Sequence, residues 1–203
     1  LIRNKIDILN YGKKYGTITA VLGKNHFEIT SLREDKNQSG RDTEVIFTDS
    51  WYKDALRRDF TFNAISIDSN GKIYDYFNGR QDLKAEQVKF IGKIETRIKE
   101  DYLRILRYFR FLGLFRNPNL IIGYEEILYN NLLQLKYQVS NDQIRNELLK
   151  MLKNKYKINS FINLQNKKEA NILINTINEW WIKDQYKLGI NKCMNKIYEL
   201  IGK

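Results

Sequence analysis

Thr17–Leu22 and His26–Leu32 are runs rich in β-branched and aromatic residues, separated by the turn-forming Gly23-Lys24-Asn25, and the pattern predicts an antiparallel hairpin. Arg33–Asp42 is polar and carries Asn37, Ser39 and Gly40, which predicts a mobile loop. Glu44–Phe47 reads as a further short strand, and Ser50 as the N-cap of a helix through Arg58. A turn at Asp68-Ser69-Asn70-Gly71 precedes an alternating strand over Lys72–Phe77, and the mixed segment Asp82–Ile91 leads to a junction at Gly92. From about Ile94 the apolar period changes. Leu103, Leu106 and Phe109 recur at helical spacing, and Tyr124–Leu135, Asp142–Leu152, Ala170–Ile182 and Lys187–Ile201 read as helices. Pro118, the only proline, falls where the first long helix must break. The expected fold is therefore α+β: a β-containing head over residues 1–92, then an all-α region over residues 93–203.

Two blocks do not fit a simple apolar-in, polar-out pattern. Leu56-Arg57-Arg58-Asp59-Phe60-Thr61-Phe62-Asn63-Ala64 places charges inside an apolar run, and desolvating unpaired charge costs several kcal/mol. By itself this block is also explained by two arginines ending a surface helix and an aspartate capping the next element. The second block is Lys99–Phe111. Placed on one continuous helix, Arg97, Glu100, Asp101, Arg104 and Arg107 share a side, and Leu103, Leu106 and Phe109 cover another. Taken alone, such a charged face is an ordinary solvated one, each pair contributing a few tenths of a kcal/mol.

Taken together, the two blocks resemble the class II tRNA nucleotidyltransferases, the CCA-adding enzymes, and the related bacterial poly(A) polymerases. The family signature R-R-D-F-T-x-N-A is matched at every fixed position by Arg57 to Ala64. Glu100, Asp101 and Arg104 match its E-D-x-x-R, with Tyr102 where the family usually has proline. Tyr15–Val21 and Phe27–Arg33 are similar to the family's paired strands, Ser140–Lys150 to a helix after the neck, and Glu179-Trp180-Trp181-Ile182 to a segment near the C-terminus.

This resemblance implies a nucleotidyltransferase-type head, antiparallel or mixed sheet with helices, followed by a helical neck and body that binds RNA. It implies transfer of CMP and AMP from CTP and ATP to tRNA 3′ ends. Asp101 and Arg104 are then the base-selecting pair. Cytosine and adenine each present an amino donor beside a ring-nitrogen acceptor, which a carboxylate and a guanidinium complement. Arg57, Arg58, Asp59 and Asn63 are implied as contacts to ribose and triphosphate. Arg107 and Arg110 are further candidates, with Arg110 closing a salt bridge in the neck as its alternative. Arg33 and Arg41 flank a loop that, in the family, helps the switch from C to A addition. Catalysis in the family draws on Mg²⁺, held mainly by a D-x-D pair. No D-x-D occurs in these 203 residues. Glu28 matches the position of a third carboxylate and is the one candidate metal ligand and catalytic residue. The chain starts at Leu1, and the expectation is that the missing segment lies just upstream.

Composition adjusts this picture only slightly. Thirty-five Lys and Arg against 24 Asp and Glu give a net charge of +11, which favours a polyanionic partner such as tRNA. A single cysteine, Cys193, excludes a disulfide framework and a zinc cluster and fits a reducing cytoplasm. No run is long and apolar enough to span a membrane. His26 and Cys193 read as structural, Trp180 and Trp181 as helix packing, and Tyr108 or Tyr137 as possible stacking partners for RNA. Rival readings are a poly(A) polymerase, a partial enzyme adding only CC or only A, a non-catalytic RNA- or nucleotide-binding module, and a decayed gene product.

Overall fold

A computed structural model describes residues 6–10, 12–13, 16–39, 42–156 and 159–160. The expectations for Tyr15, Arg41, Trp180, Trp181, Cys193 and the last two helices lie outside the described residues. The chain forms two compact units that divide between Arg58 and Asp59.

In the first unit, β1 (Asp7–Leu9), β2 (Thr17–Leu22) and β3 (Asn25–Thr30) make an antiparallel sheet in that order. The hairpin turns at Gly23, whose φ of +61° a residue with a Cβ adopts only at a cost. Thr17 pairs with Thr30, Thr19 with Glu28 and Val21 with His26, so these residues share one face. Ile18, Ala20, Phe27 and Ile29 occupy the other.

The polar stretch expected as a mobile loop is instead a second hairpin, β4 (Arg33–Ser39) on β5 (Asp42–Phe47). Its pairing is antiparallel and begins at Arg33 opposite Phe47. Register in a hairpin comes from its partner strand and turn, so a run with few apolar residues can still be a strand. Ser50 caps α1 (Trp51–Leu56) by accepting from the Lys53 amide, as the sequence predicted.

The second unit begins with an extended segment that pairs at Phe60 with Phe90. Ile91 N–H donates to Asp59 O, and Thr61 N–H to Lys89 O, each at 3.0 Å. A 3₁₀ turn over Thr61–Ala64 follows, then the two-residue strands β6 (Ser66–Ile67) and β7 (Ile73–Tyr74), the latter shorter than the strand expected over Lys72–Phe77. Only the first three residues of the mixed segment are helical, as the end of α2 (Gly79–Lys84), and its far end supplies Phe90 to the bridge with Phe60. At Gly79 an added Cβ would collide with the backbone at Thr61 and Phe62, so only glycine fits.

The helical region contains α3 (Ile94–Glu100), α4 (Leu103–Leu112), α5 (Tyr124–Asn130), α6 (Gln134–Gln138) and α7 (Asn141–Lys153). Tyr124–Leu135, read as one helix, is thus two. A capping box starts α7, where Ser140 accepts from Gln143 N–H and the Gln143 side chain accepts from Ser140 N–H. Asn154 and Asn159 donate to the carbonyls of Arg110, Phe115 and Arg116, closing the C-terminal end of α4 and the turn beyond it.

Phe60, Phe90, Ile98, Ile105, Leu106, Tyr108, Phe109, Leu112, Leu128, Ile144 and Met151 form this unit's core. Phe60 lies 4.7 Å from the Phe90 ring centroid and 5.3 Å from that of Phe111. Burial pushes the Tyr108 hydroxyl well above the usual tyrosine range, which leaves it a neutral core aromatic rather than an exposed stacking surface.

Candidate nucleotide-binding site

Asp59-Phe60-Thr61 shows how one motif divides its work. The extended backbone alternates its side chains, and Phe60 plugs the core. Thr61 Oγ1 donates to the buried Asp82 Oδ2 at 2.7 Å. Asp59 becomes a hub. Its Oδ1 accepts from Phe60 N–H and from Asn63 Nδ2, both at 2.9 Å, and its Oδ2 from Arg107 Nε at 2.6 Å. Asp59, Asn63 and Arg107, predicted from separate blocks, are therefore one cluster.

Arg57 and Arg58 form another cluster, within the first unit. Both turn back along α1 to Asp54. Arg57 Nη2 lies 2.7 Å from Oδ1, and Arg58 Nη2 lies 2.9 Å from Oδ2. Burial of Asp54 raises its pKa, but hydrogen bonds from Arg57, Arg58 and the Arg33 amide outweigh this, so its carboxyl sits below the usual carboxylate range. Asp54 was not among the residues singled out. Its signal was present: an acid three and four residues before two arginines on a helix.

The helix expected to run unbroken through Glu100–Phe111 is broken at Asp101 and Tyr102. Asp101 is extended and exposed, and its Oδ1 accepts from Leu103 N–H at 2.9 Å, capping the first turn of α4. An acid cap after Glu100 explains the break, and the next position is one that tolerates proline in the related signature. The break also separates Asp101 from the charged stripe assigned to it. Glu100 joins two arginines of that stripe: its Oε2 lies 2.6 Å from Nη1 of both Arg97 and Arg104. Arg104 Nη1 also donates to the Arg97 carbonyl at 2.8 Å, and Arg104 is buried.

Arg110 makes the salt bridge named as its alternative. Its Nε lies 2.7 Å from Glu147 Oε2 on α7, and Lys150 Nζ lies 2.8 Å from the other oxygen. Glu147 was missed as well. A glutamate at helical spacing between Ile144 and Met151 on the apolar side of α7 was its signal.

Glu28 is exposed on β3, opposite Thr19. Asp7, the sheet's other carboxylate on that face, is two strands away, roughly 10 Å by strand spacing. Among the described residues no three His, Cys, Asp or Glu side chains lie together as a metal-holding group. Glu28 therefore does not by itself fit a divalent ion of the kind nucleotidyltransferases generally use, and no catalytic step follows from it.

The architecture, small antiparallel sheets followed by packed helices, is that of an α+β nucleotidyltransferase. Residues 1–89 match the family described as the poly(A) polymerase head domain. The chain is 56% identical over 106 residues to mitochondrial CCA tRNA nucleotidyltransferase 1 of Homo sapiens, covering 52% of this chain and 24% of that protein. It is 35% identical over 156 residues to the CCA-adding enzyme of Staphylococcus saprophyticus, covering 76% of this chain and 39% of the relative. The crystal structure of the Bacillus stearothermophilus CCA-adding enzyme in complex with CTP superposes with a TM-score of 0.68 at 29% identity, over 78% of this chain and 38% of that one. Over these stretches the chain is similar in sequence and in structure to the class II CCA-adding enzymes and poly(A) polymerases. It spans about a quarter of the length of the mitochondrial relatives it matches.

Proposed function

We propose that the chain is the nucleotide-selecting part of a tRNA nucleotidyltransferase that adds CMP and AMP from CTP and ATP to tRNA 3′ ends. The observation that carries this is the Asp59–Asn63–Arg107 cluster, which joins the two family motifs across 48 positions of sequence. In this reading Asp101 accepts from the exocyclic amine of cytosine or adenine. Arg104, fixed by Glu100, donates to the ring nitrogen. Uracil and guanine present the reverse pattern and leave buried polar groups unpaired, a strong basis for rejection. Arg57 and Arg58 serve the triphosphate, and Asn63 and Arg107 the sugar and phosphates, with Asp59 holding them. Arg110 is left to the Glu147 pair.

The division at 92/93 into a head and an RNA-binding helical region is part of this proposal, as are the +11 charge meeting tRNA and action in the cytoplasm. Among the described residues no helix is long and apolar enough to cross a membrane. The family's divalent ion, which we take to be Mg²⁺, finds no ligand set among the described residues, so only binding and selection are assigned to them.

The experiment is titration of this chain with CTP, ATP, UTP and GTP, followed by incorporation of labelled CTP and ATP onto tRNA lacking its CCA end. Binding of CTP and ATP in clear preference to UTP and GTP is the expected result. Equal binding of all four, or of none, overturns the selection role. The match to the poly(A) polymerase head favours one second reading, addition of A alone. ATP tested without CTP separates the two.

A further inference from the structure

Asp54 takes five donor contacts in a nearly buried pocket. Oδ1 accepts from Arg33 N–H at 3.1 Å, Arg57 Nε at 2.9 Å and Arg57 Nη2 at 2.7 Å. Oδ2 accepts from Arg58 Nη2 at 2.9 Å and, more weakly, Arg58 Nε at 3.3 Å. Arg57 Nε also donates to the Arg33 carbonyl at 3.1 Å. Both backbone groups of Arg33, the first residue of β4, are thus clasped: its N–H by Asp54 and its C=O by Arg57. A second tie, Lys53 Nζ to Glu34 Oε1 at 3.3 Å, lies beside the clasp.

We propose that Asp54 is a positioning residue that presets the guanidinium groups of Arg57 and Arg58 for a nucleoside triphosphate and locks them to the base of the β4–β5 hairpin. This rests on the reading that those two arginines contact the triphosphate. An arginine free to rotate loses side-chain entropy whenever it orders on a ligand; one already fixed in a fork loses less. A carboxylate in the last full turn of the helix reaches arginines three and four positions later together. The hairpin is included because both peptide groups of Arg33 are held from α1 and the residue that follows that helix.

The alternative to presetting is simple charge balance, and the two predict opposite signs. Removing the Asp54 charge takes a negative charge from beside two arginines and raises the local attraction for phosphate. If Asp54 only balances charge, Asp54→Asn binds CTP and ATP more tightly. If it positions, Asp54→Asn binds them about tenfold to a hundredfold more weakly, while affinity for cytidine, which has no phosphates, stays nearly the same.

The test is calorimetric titration of the full 203-residue chain and its Asp54→Asn variant with CTP, ATP and cytidine. Loss confined to the triphosphates supports the proposal, and unchanged or tighter triphosphate binding overturns it. A wild-type chain that binds no CTP overturns the nucleotide-binding reading and this inference together, which separates the two failures. Nitrogen-15 spectra of the wild-type chain decide the matter if the variant does not fold. The Arg57 Nε–H signal, assigned by its disappearance in Arg57→Lys, stays slow to exchange at saturating CTP if Asp54 remains its partner. Its exposure on CTP binding would mean that phosphate displaces Asp54, and the positioning role would be wrong.

Discussion

Arg107 donates to the nearly buried Asp59 carboxylate at 2.6 Å, joining the extended segment that opens the second unit to the middle of α4. The same carboxylate also holds Phe60 N–H and Asn63, so removing it strands three donors at once. Asp59→Ala is expected to cost roughly 2–3 kcal/mol in urea unfolding. That is below the cost of breaking a fully buried pair, because the Arg107 side chain remains one-third exposed and partly solvated. The Asp59→Ala/Arg107→Ala double variant should lose less than the sum of the singles. Strict additivity would show that the pair is not coupled.

Acid should act on Asp54 in a defined direction. Its folded pKa lies below the ordinary 3.8, so the ionised form contributes stability above that value. The contribution disappears as pH falls through the folded pKa. The stability difference between wild type and Asp54→Asn is therefore expected to hold near neutrality and to shrink below about pH 4. Thermal unfolding of both proteins at a series of pH values checks this. A difference that grows on acidification would contradict the assignment.

What could be read in the sequence, and what could not, follows from the range of the forces involved. Ser50 and Ser140 were legible as caps or helix starts because the bonds they make span three residues. The core stripe of α4 was legible because its period belongs to the helix itself. The Arg33–Asp42 stretch was misread because strand identity there comes from pairing with residues 42–47 rather than from its own composition. The break at Asp101 was missed because amphipathic periodicity continues smoothly through it, and only the side-chain cap reveals the new start. The motif residues themselves were visible, but not what each one holds. Glu100, rather than Asp101, fixes Arg104, and Asp54 and Glu147 supply partners from outside the motifs.

Arg110 and Glu147 give a different kind of test. Glu147→Leu leaves Arg110 without its carboxylate in a confined site and should lower stability by about 3 kcal/mol. Arg110→Met combined with Glu147→Leu replaces the pair with apolar volume, and is expected to recover much of that loss. Chemical denaturation of the singles and the double decides it. A double variant no better than Glu147→Leu alone would mean that the glutamate is held chiefly by other partners.

Gly79 tests packing without charge. A methyl group there meets the Thr61 carbonyl and the Phe62 backbone, neither of which is a flexible side-chain end. Gly79→Ala is expected to destabilise by about 1–3 kcal/mol and to disturb the Thr61–Asp82 hydrogen bond behind the motif. A melting temperature equal to wild type would show that this turn shifts freely.

Asp101 carries two roles that one substitution can separate. Its Oδ1 caps α4, and the proposed function gives its carboxylate an amine to accept from. Asparagine caps a helix nearly as well as aspartate, whereas alanine does not, at a cost of about 0.5–2 kcal/mol. Asp101→Asn should therefore keep wild-type stability, and Asp101→Ala should lose that amount. Base discrimination should divide the variants differently. An asparagine side chain presents a donor as well as an acceptor, so Asp101→Asn is expected to narrow the preference for CTP over UTP even though the helix is intact. If both variants kept that preference, the base would be read elsewhere on α4. If Asp101→Asn lost stability as well, the cap would depend on charge at the helix N-terminus more than on the hydrogen bond.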